Sequence, residues 1–166
     1  KGTWLVFRAK EKGRPVQELV PLIVDQSLTS LPIPKRMRWG DSSAEFVRPV
    51  HWLVMMHGKK VIGGEVLGVS SSNKTRGHRF HANREITLSS AGEYAKKLAN
   101  KGFVIADSEQ RKRSIREQVV QAAETLAGKA VIDNDLLAEV NALNEWPIAV
   151  AGEFEKDTHA NPKAGN

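Results

Sequence analysis

The sequence predicts an α+β fold, and two observations carry that expectation. From Arg48 to Val69 the pattern reads as a hairpin, and apolar residues on both faces between 52 and 56 suit a central strand covered on both sides. Outside it, three stretches (15–30, 107–127 and 133–143) repeat their apolar residues at helical spacing. The expected architecture is a mixed sheet, its central pair around 48–69, covered by helices.

Residues 2–9, rich in Trp, Val and Phe, suit a strand. Pro15 opens a helix over 15–30 with Val16, Leu19, Val20, Ile23, Val24 and Leu28 on one side; Pro21 predicts a kink or a later start, and Pro32 and Pro34 a stop. His57-Gly58-Lys59-Lys60 turns the central hairpin, and Val61 to Val69 returns, with Gly63-Gly64 marking a bulge or a close backbone approach. Ser89-Ser90 caps a short helix over 90–100, and 103–105 is a short strand. Asp107 with Gln110 opens a long helix to about Ala127, with Ile115, Val119, Ala122 and Leu126 inward. A further helix follows, with Leu136, Leu137, Val140 and Leu143 inward, and 146–150 is the last strand.

The 166 residues, 40% hydrophobic and without cysteine, make one domain over 1–155 and a polar tail over 156–166. Disulfide scaffolds and cysteine-based zinc sites are excluded, and the longest apolar run is far too short to span a membrane. No signal peptide is readable, and the missing initiator Met leads us to expect a piece of a longer, cytoplasmic chain. The net charge of +6 is unevenly placed: residues 1–84 carry +9 and residues 85–166 carry −3. A basic half is either a solubilising excess or a face that attracts phosphates.

Two segments concentrate the charge. Arg76, His78, Arg79 and Arg84 surround Phe80 and His81, and no strand or helix period explains them. Such a stretch suits phosphate contacts, with Phe80 stacking on a base or, alternatively, filling the core. Lys35, Arg36 and Arg38 interleave with Met37 and Trp39, and Trp39 is likewise a stacking ring or a core residue. Arg111, Lys112, Arg113 and Arg116 spread around a helix and read as a solvated face. Asp41-Ser42-Ser43 reads as a turn, and Asp133 and Asp135 as helix-start residues. His78 and His81 lack nearby ligands of familiar spacing, so no metal site is expected; no catalytic residue and no nucleotide-binding glycine loop is recognised.

The blocks Leu31-Pro32-Ile33-Pro34-Lys35-Arg36-Met37-Arg38-Trp39-Gly40, Phe46-Val47-Arg48-Pro49-Val50-His51-Trp52, Arg76-Gly77-His78-Arg79-Phe80 and Glu145-Trp146-Pro147 occur in order. This succession resembles the beta subunit of bacterial tetrameric glycyl-tRNA synthetase, over about residues 3–155. The segment after Glu155 does not share the resemblance. The resemblance implies a fragment from the N-terminal region of a larger beta chain, similar to the editing-type α+β domain of the phenylalanyl-tRNA synthetase beta chain. It implies an alpha subunit that carries the glycine and ATP site, with ATP and magnesium used there and no cofactor on this fragment. The implied partners are tRNA(Gly) and that alpha subunit, in an alpha2beta2 tetramer.

The expected role is therefore support of glycine attachment through tRNA binding by Arg76, His78, Arg79, Arg84, Lys35, Arg36 and Arg38. Two alternatives stand beside it. One is an editing-type deacylase of mischarged tRNA with His78 or His81 as base; the other is a structural domain whose arginines serve subunit assembly.

Overall fold

The computed structural model describes residues 3–10 and 12–152. The chain divides into two units, residues 1–76 with 85–94 and residues 77–84 with 95 onward.

In the first unit, α1 (Val16–Ser30) begins after Pro15 and ends where Leu31 becomes extended ahead of Pro32. Pro21 lies inside it, and the helix runs on without a late start. The donor Pro21 lacks would have served Gln17, whose exposed position lets water take its place. Val16, Val20, Val24 and Leu28 pack on buried Met55, Ile62 and Val66. Burying side chains of this size stabilises by roughly 1.5–3 kcal/mol each. At Gly64 it is side chains, not another backbone, that come close: a Cβ would lie 3.0 Å from Met55 Cε and 3.2 Å from Pro21 Cγ, while nothing lies within 4 Å of one at Gly63.

The strands are short. β1 (Met37–Arg38) pairs antiparallel with β2 (Glu45–Phe46). β3 (Leu53–Val54), β4 (Met56–His57), β5 (Lys60–Val61), β6 (Glu65–Val66) and β7 (Val69–Ser72) follow. β4 and β5 form the expected hairpin, turning at Gly58 with φ +57°. The return strand expected over 61–69 is broken instead among β5, β6 and the start of β7. Leu67 and Gly68, at φ +54° and +76°, form a tight turn that reverses β6 into β7. β7 also pairs parallel with β3, giving a mixed three-stranded sheet of order β3-β7-β6. β8 (Lys74–Arg76) pairs antiparallel with β9 (Glu85–Thr87), placing buried Thr75 opposite buried Ile86. Helices and small mixed and antiparallel sheets together make the predicted α+β class.

The strand expected over 2–9 does not form among the described residues; Trp4, Leu5, Val6 and Phe7 stand 77–106% exposed. The strands expected at 103–105 and 146–150 do not form either, and Ile148 and Val150 are exposed. Composition favours extended backbone at all three places, but a strand needs a hydrogen-bonding neighbour, and none of the described strands pairs with them.

Residues 91–102 are helical with changing pitch: a 3-10 turn (Ala91–Glu93), α2 (Tyr94–Lys97) and a π turn (Leu98–Gly102). Ser90 precedes it without a side-chain cap, and Glu93 instead accepts from the Ser89 N–H at 3.0 Å. α3 (Ser108–Thr125) is capped by Asp107, which accepts from the Gln110 N–H at 2.7 Å. α4 (Asn134–Leu143) packs on α3 through buried Ile115 and Leu137. Leu126, Leu136 and Leu143, expected inward, are exposed. The seam between two helices is narrower than the apolar stripes the sequence shows.

Asp133 caps α4, accepting from the Asp135 and Leu136 amides at 2.8 and 2.9 Å. The Leu136 amide, then the Asp135 amide, holds its carboxyl below the ordinary carboxylate range. A carboxyl depressed by folding stabilises the fold above its unfolded pKa, and the contribution fades as pH falls through the folded value. Acid unfolding of Asp133→Asn is therefore expected to lose part of this pH dependence below the ordinary carboxylate range, with stability near neutrality little altered. Urea titrations across that acid range check this. The tail 156–166 lies outside the described residues.

Candidate nucleic-acid interface

The Arg-Gly-His-Arg-Phe segment becomes the connection from β8 to β9, and residues 77–84 of it belong to the second unit. The connection folds on itself: the Gly77 N–H donates to Arg84 O at 3.2 Å, and the Ala82 N–H to His78 O at 3.0 Å. The His78 N–H donates to Gly102 O at 2.6 Å, joining the loop to the π turn. Arg84 Nη2 donates to Lys101 O at 3.0 Å. Gly77 permits this closeness, since a Cβ there would meet the Ala82 and Gly102 backbone at 2.5 and 2.8 Å.

His78 Nδ1 accepts from the Phe80 and His81 N–H groups at 3.2 and 3.3 Å. An imidazole accepting through Nδ1 carries its proton on Nε2, which leaves His78 a donor able to meet a phosphate oxygen or hold a water. The His78 and His81 rings lie 4.5 Å apart, and His81 in turn faces Phe103. Phe80 is 84% exposed, so the core alternative for it does not hold. Arg79 stands 5.9 Å over its ring and makes no ion pair among the described residues.

The site residues named from sequence thus take different positions. His78, Arg79, Phe80 and Arg84 share one loop of the second unit, with Arg84 used to hold the loop. Arg76 lies on β8 in the first unit, opposite Glu85 in register. Lys35, Arg36, Arg38 and Trp39 also belong to the first unit. There Arg36 Nη2 donates to Thr29 O at 3.2 Å, capping the end of α1. Lys35 and Arg38 are exposed and Trp39 is half-buried.

Lys101, Gly102, Phe103 and Trp146 join the loop's surroundings without having been singled out for them. Asn100-Lys101-Gly102 signals a helix stop, but only the fold shows that it lies against His78. Phe103 adopts the left-handed region at φ +53°, an outlier for a bulky residue, with Trp146 packed edge-on at 5.4 Å. Arg111, expected on a solvated face, is half-buried and donates to the Asn141 and Ile105 carbonyls at 3.1 and 2.6 Å. Among the described residues no three His, Cys, Asp or Glu side chains gather as a metal-ligand set. No described helix is long and apolar enough to cross a membrane.

A family model described as the glycyl-tRNA synthetase beta subunit matches residues 1–164. The match continues past Glu155, into the segment that the sequence resemblance sets apart. A glycine–tRNA ligase beta subunit from Hahella chejuensis is 54% identical over 155 residues, covering 93% of this chain and 22% of the relative. One from Marinobacter nauticus is 53% identical over 156 residues, with the same two coverages. One from Sodalis glossinidius is 46% identical over 162 residues, covering 98% of this chain and 24% of the relative. The chain therefore spans between a fifth and a quarter of the length of these relatives.

Proposed function

The chain belongs to the glycyl-tRNA synthetase beta-subunit family, and from that premise we propose that it helps a glycine–tRNA ligase hold tRNA(Gly) during ATP-dependent charging. The relatives are named as ligase beta subunits, so a partner subunit is implied. We assign the glycine, ATP and magnesium chemistry to that alpha subunit, in a cytoplasmic alpha2beta2 assembly, and tRNA contact to this chain.

One observation carries the reading. The loop 77–84 exposes Arg79, Phe80 and His81 together, beside the exposed Lys101, after its own backbone groups have closed on one another. Cations on a loop set by backbone hydrogen bonds suit phosphate contacts, which position a nucleic acid and release counterions. On the first unit, considered by itself, Arg76 and the exposed Lys35 and Arg38 are further candidate phosphate contacts.

Replacing Arg76 and Arg79 by Ala in the assembled enzyme is expected to weaken tRNA affinity. The slope of log affinity against log salt should flatten by about one for each phosphate that is no longer neutralised. Filter binding over a salt series measures both. Unchanged affinity and slope in folded enzyme would remove these arginines from the tRNA interface.

A further inference from the structure

Five rings of the second unit make a row only in the sense of successive contacts, each ring tilted or edge-on to the next. Centroid spacings run 6.0 Å from Phe80 to His78, 4.5 Å from His78 to His81, 6.0 Å from His81 to Phe103 and 5.4 Å from Phe103 to Trp146. The row runs from half-buried Trp146 to Phe80, which is 84% exposed, with His81 and Phe103 also open to solvent. Two features of the row cost free energy in the isolated chain. Phe80 presents an apolar ring to water, and Phe103 keeps a left-handed backbone that strains a bulky residue. The bend at Phe103 follows the π turn Leu98–Gly102, whose Gly102 carbonyl also receives the His78 N–H, so one backbone junction sets both ends of the His81–Phe103 contact.

We propose that this row is a stacking platform for unpaired RNA bases, so that the loop 77–84 takes a single-stranded segment and not a duplex. The inference rests on the tRNA-binding reading above and names the part of the RNA that this surface fits. A base within a duplex has both faces covered by its neighbours and offers a protein mainly backbone and groove edges. A splayed base offers a free π face, and rings accept it without regard to sequence. Arg79 lies over the Phe80 ring, and it and the exposed Lys101, whose carbonyl receives Arg84 of the loop, supply the charge that a strand's phosphates require. The His78 Nε2–H adds a donor within the row.

The test uses the full-length subunit assembled with its partner and two probes. One is a short single-stranded RNA containing 2-aminopurine, whose emission is quenched on stacking; the other is a fully paired RNA duplex of the same composition. Phe80→Ala and Phe80→Leu are expected to weaken single-strand binding roughly five- to a hundredfold and to relieve the quenching. Phe80→Trp should retain both, and duplex affinity should stay as in the wild type for all three.

Single-strand affinity and quenching unchanged in Phe80→Ala would overturn the platform, as would Phe80→Leu behaving like the wild type, since leucine fills space but does not stack. Loss of subunit association with RNA binding intact would also overturn it, making Phe80 a protein contact. The arginine variants separate the two levels. If they still weaken tRNA binding while Phe80→Ala does not, the platform fails and the tRNA reading stands; if neither has an effect, both fail.

Discussion

Gly77→Ala is expected to destabilise the protein by about 2–4 kcal/mol and to weaken tRNA binding with it. The atoms a Cβ would meet are Ala82 O at 2.5 Å, Gly102 Cα at 2.8 Å and Gly102 O at 3.0 Å, all of them backbone. No side chain can swing aside, so relief requires the loop 77–84 or the π turn to move. Overpacking of this kind costs about 1–3 kcal/mol, and the displaced His78–Gly102 hydrogen bond adds about 1 kcal/mol. Gly58→Ala is the control: its φ is +57°, yet nothing lies within 4 Å of a Cβ. Its cost is conformational only, about 1–2 kcal/mol, and it leaves the loop 77–84 in place. Urea unfolding together with tRNA titration should show both losses for Gly77→Ala and only the stability loss for Gly58→Ala. Wild-type midpoint and affinity in Gly77→Ala would refute the close approach.

Arg111→Ala is expected to cost about 3 kcal/mol without altering the salt dependence of tRNA binding. Arg111 reaches from α3 to the Asn141 carbonyl through Nε and to the Ile105 carbonyl through Nη1. Buried Asn141 donates its side-chain amide to Ser108 Oγ at 3.0 Å, so the same region ties the start of α3 to α4. Hydrogen bonds from charged donors contribute about 1.5–3 kcal/mol, and truncation leaves two carbonyls without their partner. Arg111→Lys should recover only part of the loss, because an ammonium lacks the planar fork that serves two carbonyls at once. A lysine variant as stable as the wild type would show that the fork is not required. The unchanged salt slope separates this arginine from Arg79, whose charge is assigned to the RNA.

The helices were legible because their signals are local. Asp107 and Asp133 accept from amides within three residues, so their caps require no knowledge of the rest of the chain. The α1 face likewise repeats every four residues from Val16 to Leu28. Strand limits were less legible, because an extended segment becomes a strand only where a neighbour supplies hydrogen bonds. Residues 4–7 and 148–150 have strand composition and no such neighbour among the described residues. The arginines illustrate the same limit in the candidate site. Arg36, Arg79, Arg84 and Arg111 are one residue type, yet three of them spend their guanidinium groups on backbone carbonyls.

By itself the sequence determined the α+β class, the helical spacing of α1, the two aspartate caps and the family, since these depend on local chemistry or on blocks of residues kept in order. It also located the Arg-Gly-His-Arg-Phe segment as a stretch that no regular period explains. Only the tertiary structure decided that Gly77 closes against Gly102, that Phe80 is exposed, and that His81, Phe103 and Trp146 continue its row of rings. Those facts depend on residues tens of positions apart meeting at atomic contact, and no periodicity or composition records such a meeting.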